Sequence, residues 1–290
     1  MITAREASEL RRTVDSFRRA GERVGFVPTM GALHEGHLSL VRRARELANR
    51  VVASIFVNPA QFNQAEDLER YPRTPERDAA LLEEAGCDLL FLPDAETLYP
   101  PGHSTWVVPD GPAEGLEGAF RPGHFRGVAT VVLELFGLVR PDLAVFGEKD
   151  AQQLAVVQRM VADFHLGLEI VPGPTLREAD GLALSSRNVR LDPEERRAAL
   201  VLSRALREAE AAARRAGAGG SAEAVRQVLR EVLASEPGAR IDYAEVVDAA
   251  SFRPVARLAG EVVLPIAVWI GDTRLIDNVR VQLEPPKLRP

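Results

Sequence analysis

Residues 23–48 read RVGFVPTMGALHEGHLSLVRRARELA, and three textures succeed one another within them. Arg23–Val27 is a short apolar, β-branched run, the make-up of a strand covered on both faces. Pro28 to Gly36 is rich in turn formers. From there on, Leu38, Val41, Ala44 and Ala48 recur at helical spacing and line one face. A strand passing through a glycine-bearing turn into a helix is the repeating unit of a parallel α/β sheet. His34 and His37 fall at or just before the start of that helix, three residues apart and on one side of it, so both rings can reach one ligand. Unpaired N–H groups and the positive end of the helix dipole suit an anion there, and Gly31 and Gly36 allow close backbone approach. Zinc peptidases space their histidines H-E-x-x-H. Here the pair is H-E-G-H, one residue short, and Cys87 is the only cysteine. A phosphate grip is therefore the better reading of the pair, although local loop hydrogen bonds would account for either histidine alone.

The same alternation continues outward. Strand-like runs stand at 51–57, 88–93, 142–147 and 168–172, each bounded by Pro, Gly or Asn. Between them lie helical faces built from Val128, Val131, Leu135 and Leu138, and from Leu154, Val157 and Val161. Thr74-Pro75 reads as an N-cap with proline at the first helical position. After about residue 180 the pattern changes. Asp192-Pro193 and Glu195 open a long helix in capping-box fashion. A glycine-rich loop (216–222) leads to a second helix with Val225, Val228 and Val232 on one face, and three strand-like runs close the chain. The expected fold class is α/β: a Rossmann-like, doubly wound parallel sheet over 1–182, followed by a smaller α+β domain over 183–290. Ligands of such sheets bind beyond the carboxyl ends of the strands.

Composition narrows the function. Among 290 residues, 36 basic and 42 acidic side chains leave a net charge of −6. Without a basic tract the chain is a poor nucleic-acid or anionic-membrane binder. The charged N-terminus lacks the apolar core of a signal peptide, and no apolar run approaches the ~20 residues of a membrane span. A single cysteine excludes a disulfide framework. The expected location is cytoplasmic. All but two of the basic residues are arginines; the lysines are Lys149 and Lys287.

Lys149 lies in FGEKDAQQL (146–154), where another strand meets a helix. A compact ammonium on a flexible stem can follow a phosphate that moves during reaction; the plain alternative is an ion pair with Glu148 or Asp150. Asp150 itself could take ribose hydroxyls. READGLALSSRN (177–188) ends in Ser185, Ser186 and Arg187, which together offer several donors to phosphate oxygens on a segment able to close as a lid. FVNPAQF (56–62) sets Asn58 and Gln61 among apolar residues, a mixture suited to a small, hydroxylated, partly aliphatic substrate. RPGHFRGVAT (121–130) carries Arg121, His124 and Arg126, either anion-binding or a structured loop. His103 and His165 read as structural, and Cys87 as a small buried residue.

In this order, PTMGALHEGHLSL, FVNPAQF, YPRT, RPGHFRGV, FGEKDAQQL and GLALSSRN resemble the hallmark segments of the pantoate–β-alanine ligase (pantothenate synthetase) family. They cover about residues 26 to 190. The first segment alone would indicate only the wider nucleotidylyltransferase superfamily with its H-x-G-H motif. The resemblance implies condensation of (R)-pantoate with β-alanine through a pantoyl adenylate, with ATP as substrate, Mg²⁺ required, AMP and pyrophosphate released, and a homodimer as the assembly. It implies that His34, His37 and Lys149 act in catalysis, and that Met30, Gly31, Gly147, Asp150, Leu176, Leu184, Ser185, Ser186 and Arg187 join them on ATP. It implies Gln61, Gln153 and Asn58 for pantoate, Gln61 also bordering β-alanine, and His37 as the acid toward pyrophosphate. The Mg²⁺ ligands stay open between Asp78, Asp150, water and the phosphates themselves. Two positions depart from the pattern: Glu134, where a basic residue is expected, and Leu176 in place of valine.

Two other functions fit parts of the sequence. A nucleotidylyltransferase acting on a phosphorylated acceptor would share the histidine turn but would want basic residues where Asn58 and Gln61 stand. A non-catalytic nucleotide sensor would have no need to keep both Lys149 and the second histidine.

Overall fold

The structure, a computed structural model, describes residues 1–63 and 65–284; Lys287 lies outside them. Its first part runs β1 (Ile2–Ala4), α1 (Ala7–Arg19), β2 (Val24–Thr29), α2 (Glu35–Leu47), β3 (Arg50–Ile55), α3 (Ala65–Glu69), α4 (Pro75–Glu84), β4 (Leu89–Phe91), α5 (Ala95–Leu98), α6 (Leu116–Phe120), α7 (His124–Val139), β5 (Leu143–Gly147), α8 (Ala151–Asp163) and β6 (Glu169–Gly173). The six strands form one parallel sheet in the order β1-β4-β3-β2-β5-β6.

Successive side chains of a strand point to opposite faces, and here both faces are dry. Val52, Leu89, Phe91, Ala144 and Phe146 pack with α1, α7 and α8. Their strand neighbours Val51, Ala53, Leu90, Leu143 and Val145 pack with α2 and α4. That is why the strands read as unbroken apolar runs. The short edge strand β1 and helix α1, which precede the first strand-like run of the sequence, complete the sheet beside β4. Cys87 is buried at 5 % exposure, and burial pushes its thiol up to about 12.

The second part comprises α9 (Pro193–Ala216), α10 (Ala222–Ala234), β7 (Ala239–Ala244), β8 (Val247–Asp248), β9 (Glu261–Ile270) and β10 (Thr273–Gln282). Its sheet is antiparallel in the order β10-β9-β7, with β8 also on β9. Asp192 accepts the backbone N–H groups of Glu194 and Glu195 while Glu195 reaches back to the Asp192 N–H, the capping box expected there. The buried stripe of α10 is Ala222, Val225, Leu229 and Leu233; Val228 and Val232 sit on its flank, only partly buried. A second core lies between the two helices and this sheet and already includes Leu182. The division proposed between residues 182 and 183 thus falls inside the chain's passage from one core to the other. A small apolar cluster of Ala151, Ala155, Val247, Phe252 and Val263 joins the two parts. Among the described residues no helix is long and apolar enough to cross a membrane.

Candidate functional site

β2 is flanked by β3 on one side and β5 on the other, so the chain leaves it in one direction and returns on the opposite side. A crevice opens at the carboxyl ends of strands at such a switch point. A cavity of about 220 Å³ lies there, lined by the turns after β2 and β5, the start of α8, the face of α7 and the segment 184–187.

The turn after β2 is held from behind. Gly31 takes φ +81°, and a Cβ on it would meet Asp78 Oδ2 and Ile55 Cγ2, both at 3.0 Å. Asp78, 1 % exposed on α4, accepts the N–H groups of Ala32 (2.8 Å) and Leu33 (2.9 Å) and the Thr74 hydroxyl (3.1 Å). Three expectations change as a result. Asp78 is a clamp on the turn, not a metal ligand facing the cavity. Thr74 starts α4 as expected, but its hydroxyl serves Asp78 and caps no helix N–H. Gly31 likewise shapes the turn from behind and is not on the cavity wall.

His34 is the N-cap of α2. Its Nδ1 accepts the Gly36 N–H at 3.2 Å, and His37 Nδ1 accepts the His34 N–H at 3.3 Å. With Nδ1 an acceptor in both rings, the neutral imidazoles carry their protons on Nε2. The rings lie 4.1 Å apart, and Gly36 is required because a Cβ there would sit 2.9 Å from the His34 ring. His37 keeps some exposure through the cavity mouth, yet the surrounding wall desolvates it. That burial, reinforced by His34, lowers it to about 3. Burial and the Lys149 charge lower His34 as well. Both rings are neutral donors at neutral pH.

Met30, Gly147, Lys149, Asp150, Leu176, Leu184, Ser185, Ser186 and Arg187 line the same cavity. Lys149 Nζ lies 3.6 Å from Asp150 Oδ1, so the plain ion pair exists, but inside the cavity. Burial acts to raise Asp150, and Lys149 and Arg187 outweigh it and hold the carboxyl below its usual range. Leu176 and Leu184 face each other across a hairpin closed by the Leu184 N–H to Leu176 carbonyl bond of 2.9 Å. Arg187 pairs with Asp67 at 3.3 Å, which ties the Ser-Ser-Arg segment to α3.

Gln61 and Gln153 also line the cavity. Asn58 touches it but has its amide committed: Nδ2 donates to Gln61 Oε1 and the Gly127 carbonyl, both at 3.1 Å, and Oδ1 accepts from Tyr99 (2.9 Å) and Ala60 (3.2 Å). Asn58 therefore orients Gln61. His124 does the same, donating from Nδ1 to the Gln61 carbonyl at 3.0 Å; burial, with Arg121 beside it, lowers it to about 4. Arg121 lines the cavity, whereas Arg126 turns away to stack 3.9 Å over Trp106. The paired glutamines of α8 separate cleanly. Gln152 is buried and bonded to the 112–117 segment, while Gln153 opens to the cavity. Glu134 meets His103 at 2.9 Å, which gives the departure a structural partner.

Sequence reasoning missed part of the lining. Val131, Val132 and Leu135 of α7 form an apolar floor with Phe56 and Phe146; helical periodicity marks them as core and cannot say that the core has a hollow. Among the described residues Asp150 is the one carboxylate on the wall, and no cluster of three or more metal-ligating side chains exists. That donor set fits a magnesium ion carried on phosphate oxygens and taking one protein carboxylate.

Comparison with known proteins gives the family. The Pantoate-beta-alanine ligase family model matches residues 2–280. A pantothenate synthetase of Heliobacterium modesticaldum is 56 % identical over 267 residues, 91 % of this chain and 94 % of the relative. One from Pelotomaculum thermopropionicum is 52 % identical over 96 % of this chain and 98 % of its own length. The crystal structure of pantothenate synthetase from Thermus thermophilus superposes with a TM-score of 0.89 at 50 % identity, covering 96 % of this chain and 99 % of that one. The Francisella tularensis pantoate-beta-alanine ligase, solved in complex with beta-gamma ATP and beta-alanine, gives 0.79 at 34 % identity over 96 % and 97 %. With matches that span nearly the whole of each chain, this protein belongs to the pantoate–β-alanine ligase family.

Proposed function

We propose that the cavity joins (R)-pantoate to β-alanine in two steps at one place. The pantoate carboxylate attacks the α-phosphorus of ATP in line, forming pantoyl adenylate and releasing pyrophosphate. The β-alanine amine then attacks the acyl carbonyl, AMP leaves, and the amine gives up a proton. The observation that carries this reading is the convergence of the two Nε2–H donors, Lys149 and the amides of Gln61 and Gln153 over an apolar floor. Catalysis of this kind needs positioning and stabilisation of negative charge, and no nucleophile from the enzyme.

In this reading His34, His37 and Lys149 hold the ATP phosphates, and Met30, Gly147, Asp150, Leu176, Leu184 and Ser185–Arg187 complete the nucleotide side. Gln61 and Gln153 take the pantoate hydroxyls and carboxylate, with its methyl groups against Val131 and Leu135. Gln61 also borders β-alanine. Mg²⁺ on the phosphates, with Asp150 as its protein ligand, would neutralise charge on the polyphosphate. His37, neutral in the free enzyme, serves first as a hydrogen-bond donor, and the negative charge of ATP raises its proton affinity toward that of an acid. A phosphorylated acceptor, as in a simple nucleotidylyltransferase, meets the neutral amides of Gln61 and Gln153 on the pantoate side.

ATP–pyrophosphate isotope exchange with Mg²⁺ and pantoate, β-alanine omitted, tests the reading. Pantoate-dependent exchange is expected; exchange without pantoate, or none although AMP forms once β-alanine is added, would overturn the adenylate route. The assembly proposed is a homodimer, and light scattering at twice the 31.6 kDa chain mass is the expected result.

A further inference from the structure

Asp277 and Asn278 are adjacent in the middle of β10 and both nearly inaccessible, at 3 and 6 % exposure. The register of β10 against β9 runs through them without a shift. Both side chains reach out of the sheet. Asn278 Nδ2 donates to the carbonyls of Glu148 (2.9 Å) and Lys149 (2.8 Å). Asp277 takes Arg177 in a two-point pair at 2.6 and 3.0 Å, and its Oδ1 accepts the Asn278 N–H at 2.8 Å.

The two targets are the segments that carry the phosphate-side groups. Glu148–Asp150 is one 3₁₀ turn between β5 and α8, a short element with poor internal hydrogen bonding. Arg177 stands in the hairpin paired at Arg177 and Ala183, which leads directly into Ser185–Arg187. A neutral amide, with two N–H bonds on one nitrogen, suits two carbonyls. A carboxylate there would repel them, and an ammonium would set a second positive charge beside Lys149.

We propose that Asn278 is a positioning residue for adenylation: by holding the Glu148 and Lys149 carbonyls it fixes the turn from which Lys149 meets the phosphates, while Asp277 anchors the hairpin opposite. The C-terminal sheet thereby sets the geometry of a site built on the other sheet. This inference rests on the role given above to Lys149.

The test is a double-mutant cycle on the full chain, read by pantoate-dependent ATP–pyrophosphate exchange, with Lys149→Ala, Asn278→Ala and the two combined. Asn278→Ala should lower the exchange rate about tenfold or more while the pantoate KM stays within about threefold. In the Lys149→Ala background it should cost nothing further, because a residue acting only through Lys149 loses its effect once the ammonium is gone. Asn278→Ser, whose hydroxyl can serve one carbonyl, should fall between wild type and Asn278→Ala, and replaces it in the cycle if that variant does not fold. Losses that multiply in the double variant, or an Asn278 variant within twofold of wild type, would overturn the proposal. A near-normal Lys149→Ala enzyme would instead remove the role of Lys149 itself.

Discussion

Because each histidine of the H-E-G-H turn gives its Nδ1 to the backbone, what reaches a ligand is an N–H and not a lone pair. That separates phosphate binding from metal binding more firmly than spacing does, since a metal needs the lone pair. Spacing paired His34 with His37, and the family resemblance set Lys149, Gln61 and Gln153 beside them, but neither could divide the residues that line the cavity from those that hold the lining. Asp78 and Gly31 belong to the second group, and Asn58, which touches the cavity, has its amide committed to holding Gln61; only hydrogen-bond partners and backbone geometry reveal it. The division yields different kinetics. Lys149→Ala removes a charge that matters most as pyrophosphate departs, so kcat should fall by about 100-fold or more with little change in the pantoate KM. Gln153→Ala removes a ground-state contact, and the pantoate KM should rise about tenfold with kcat nearly kept. Steady-state kinetics distinguishes the two, and a Lys149→Ala enzyme that loses only affinity would refute the assignment.

At the scale of elements, the histidine turn depends on a helix about forty residues further along the chain. Two of the three bonds accepted by Asp78, from the Ala32 and Leu33 N–H groups, tie α4 to the turn after β2, where Ala32 is held at φ +51°, a conformation unfavourable for any residue with a Cβ. Nothing in the local sequence announces that clamp; Asp78 looks like an acidic residue in the first turn of a helix. Asp78→Ala leaves the buried Leu33 N–H and the half-buried Ala32 N–H without partners, at about 1–3 kcal/mol for the buried group and less for the other. The expected outcome is a stability loss of about 2–4 kcal/mol in urea unfolding, together with a weaker ATP interaction as the turn relaxes. Asp78→Asn keeps one acceptor oxygen and should cost less on both counts. Equal losses from the two variants would mean the carboxylate charge, and not its bonds, matters. Elements were legible where periodicity was long, as in α2, α7 and α9. The three-residue β1 was not, because so short an edge strand carries no pattern of its own and is fixed by pairing with β4.

For the whole molecule, the two-part architecture was readable from the change in texture near residue 180, but the way the parts meet was not. Contacts such as Glu117 with Arg274 (2.7 and 2.9 Å) join residues 157 positions apart, and charge content alone cannot pair them. The same burial that joins the parts sets how stability responds to acid. His124 is held at about 4 and His37 at about 3, whereas an unfolded histidine titrates near ~6.5. Above that value both states are neutral and these groups add no slope. Below it the unfolded chain takes up protons that the folded chain refuses, so unfolding is favoured as pH falls, until the folded rings protonate near 4 and 3. Each group can contribute up to about 1.4 kcal/mol per pH unit; His124, nearly inaccessible, should come close, and His37, open to the cavity, should give less. The depressed carboxylates Glu117 and Asp150 act only below their unfolded values of about 4, and Glu134, which burial raises, works in the opposite direction, so a fall in stability from about pH 6.5 to 5 is the mark of the histidines. Urea midpoints should fall steadily through that interval. In His124→Asn, which keeps a donor for the Gln61 carbonyl but cannot titrate, the fall should be visibly shallower despite a lower stability at pH 7. An unchanged slope in that variant would show that His124 does not contribute to the acid sensitivity of the fold.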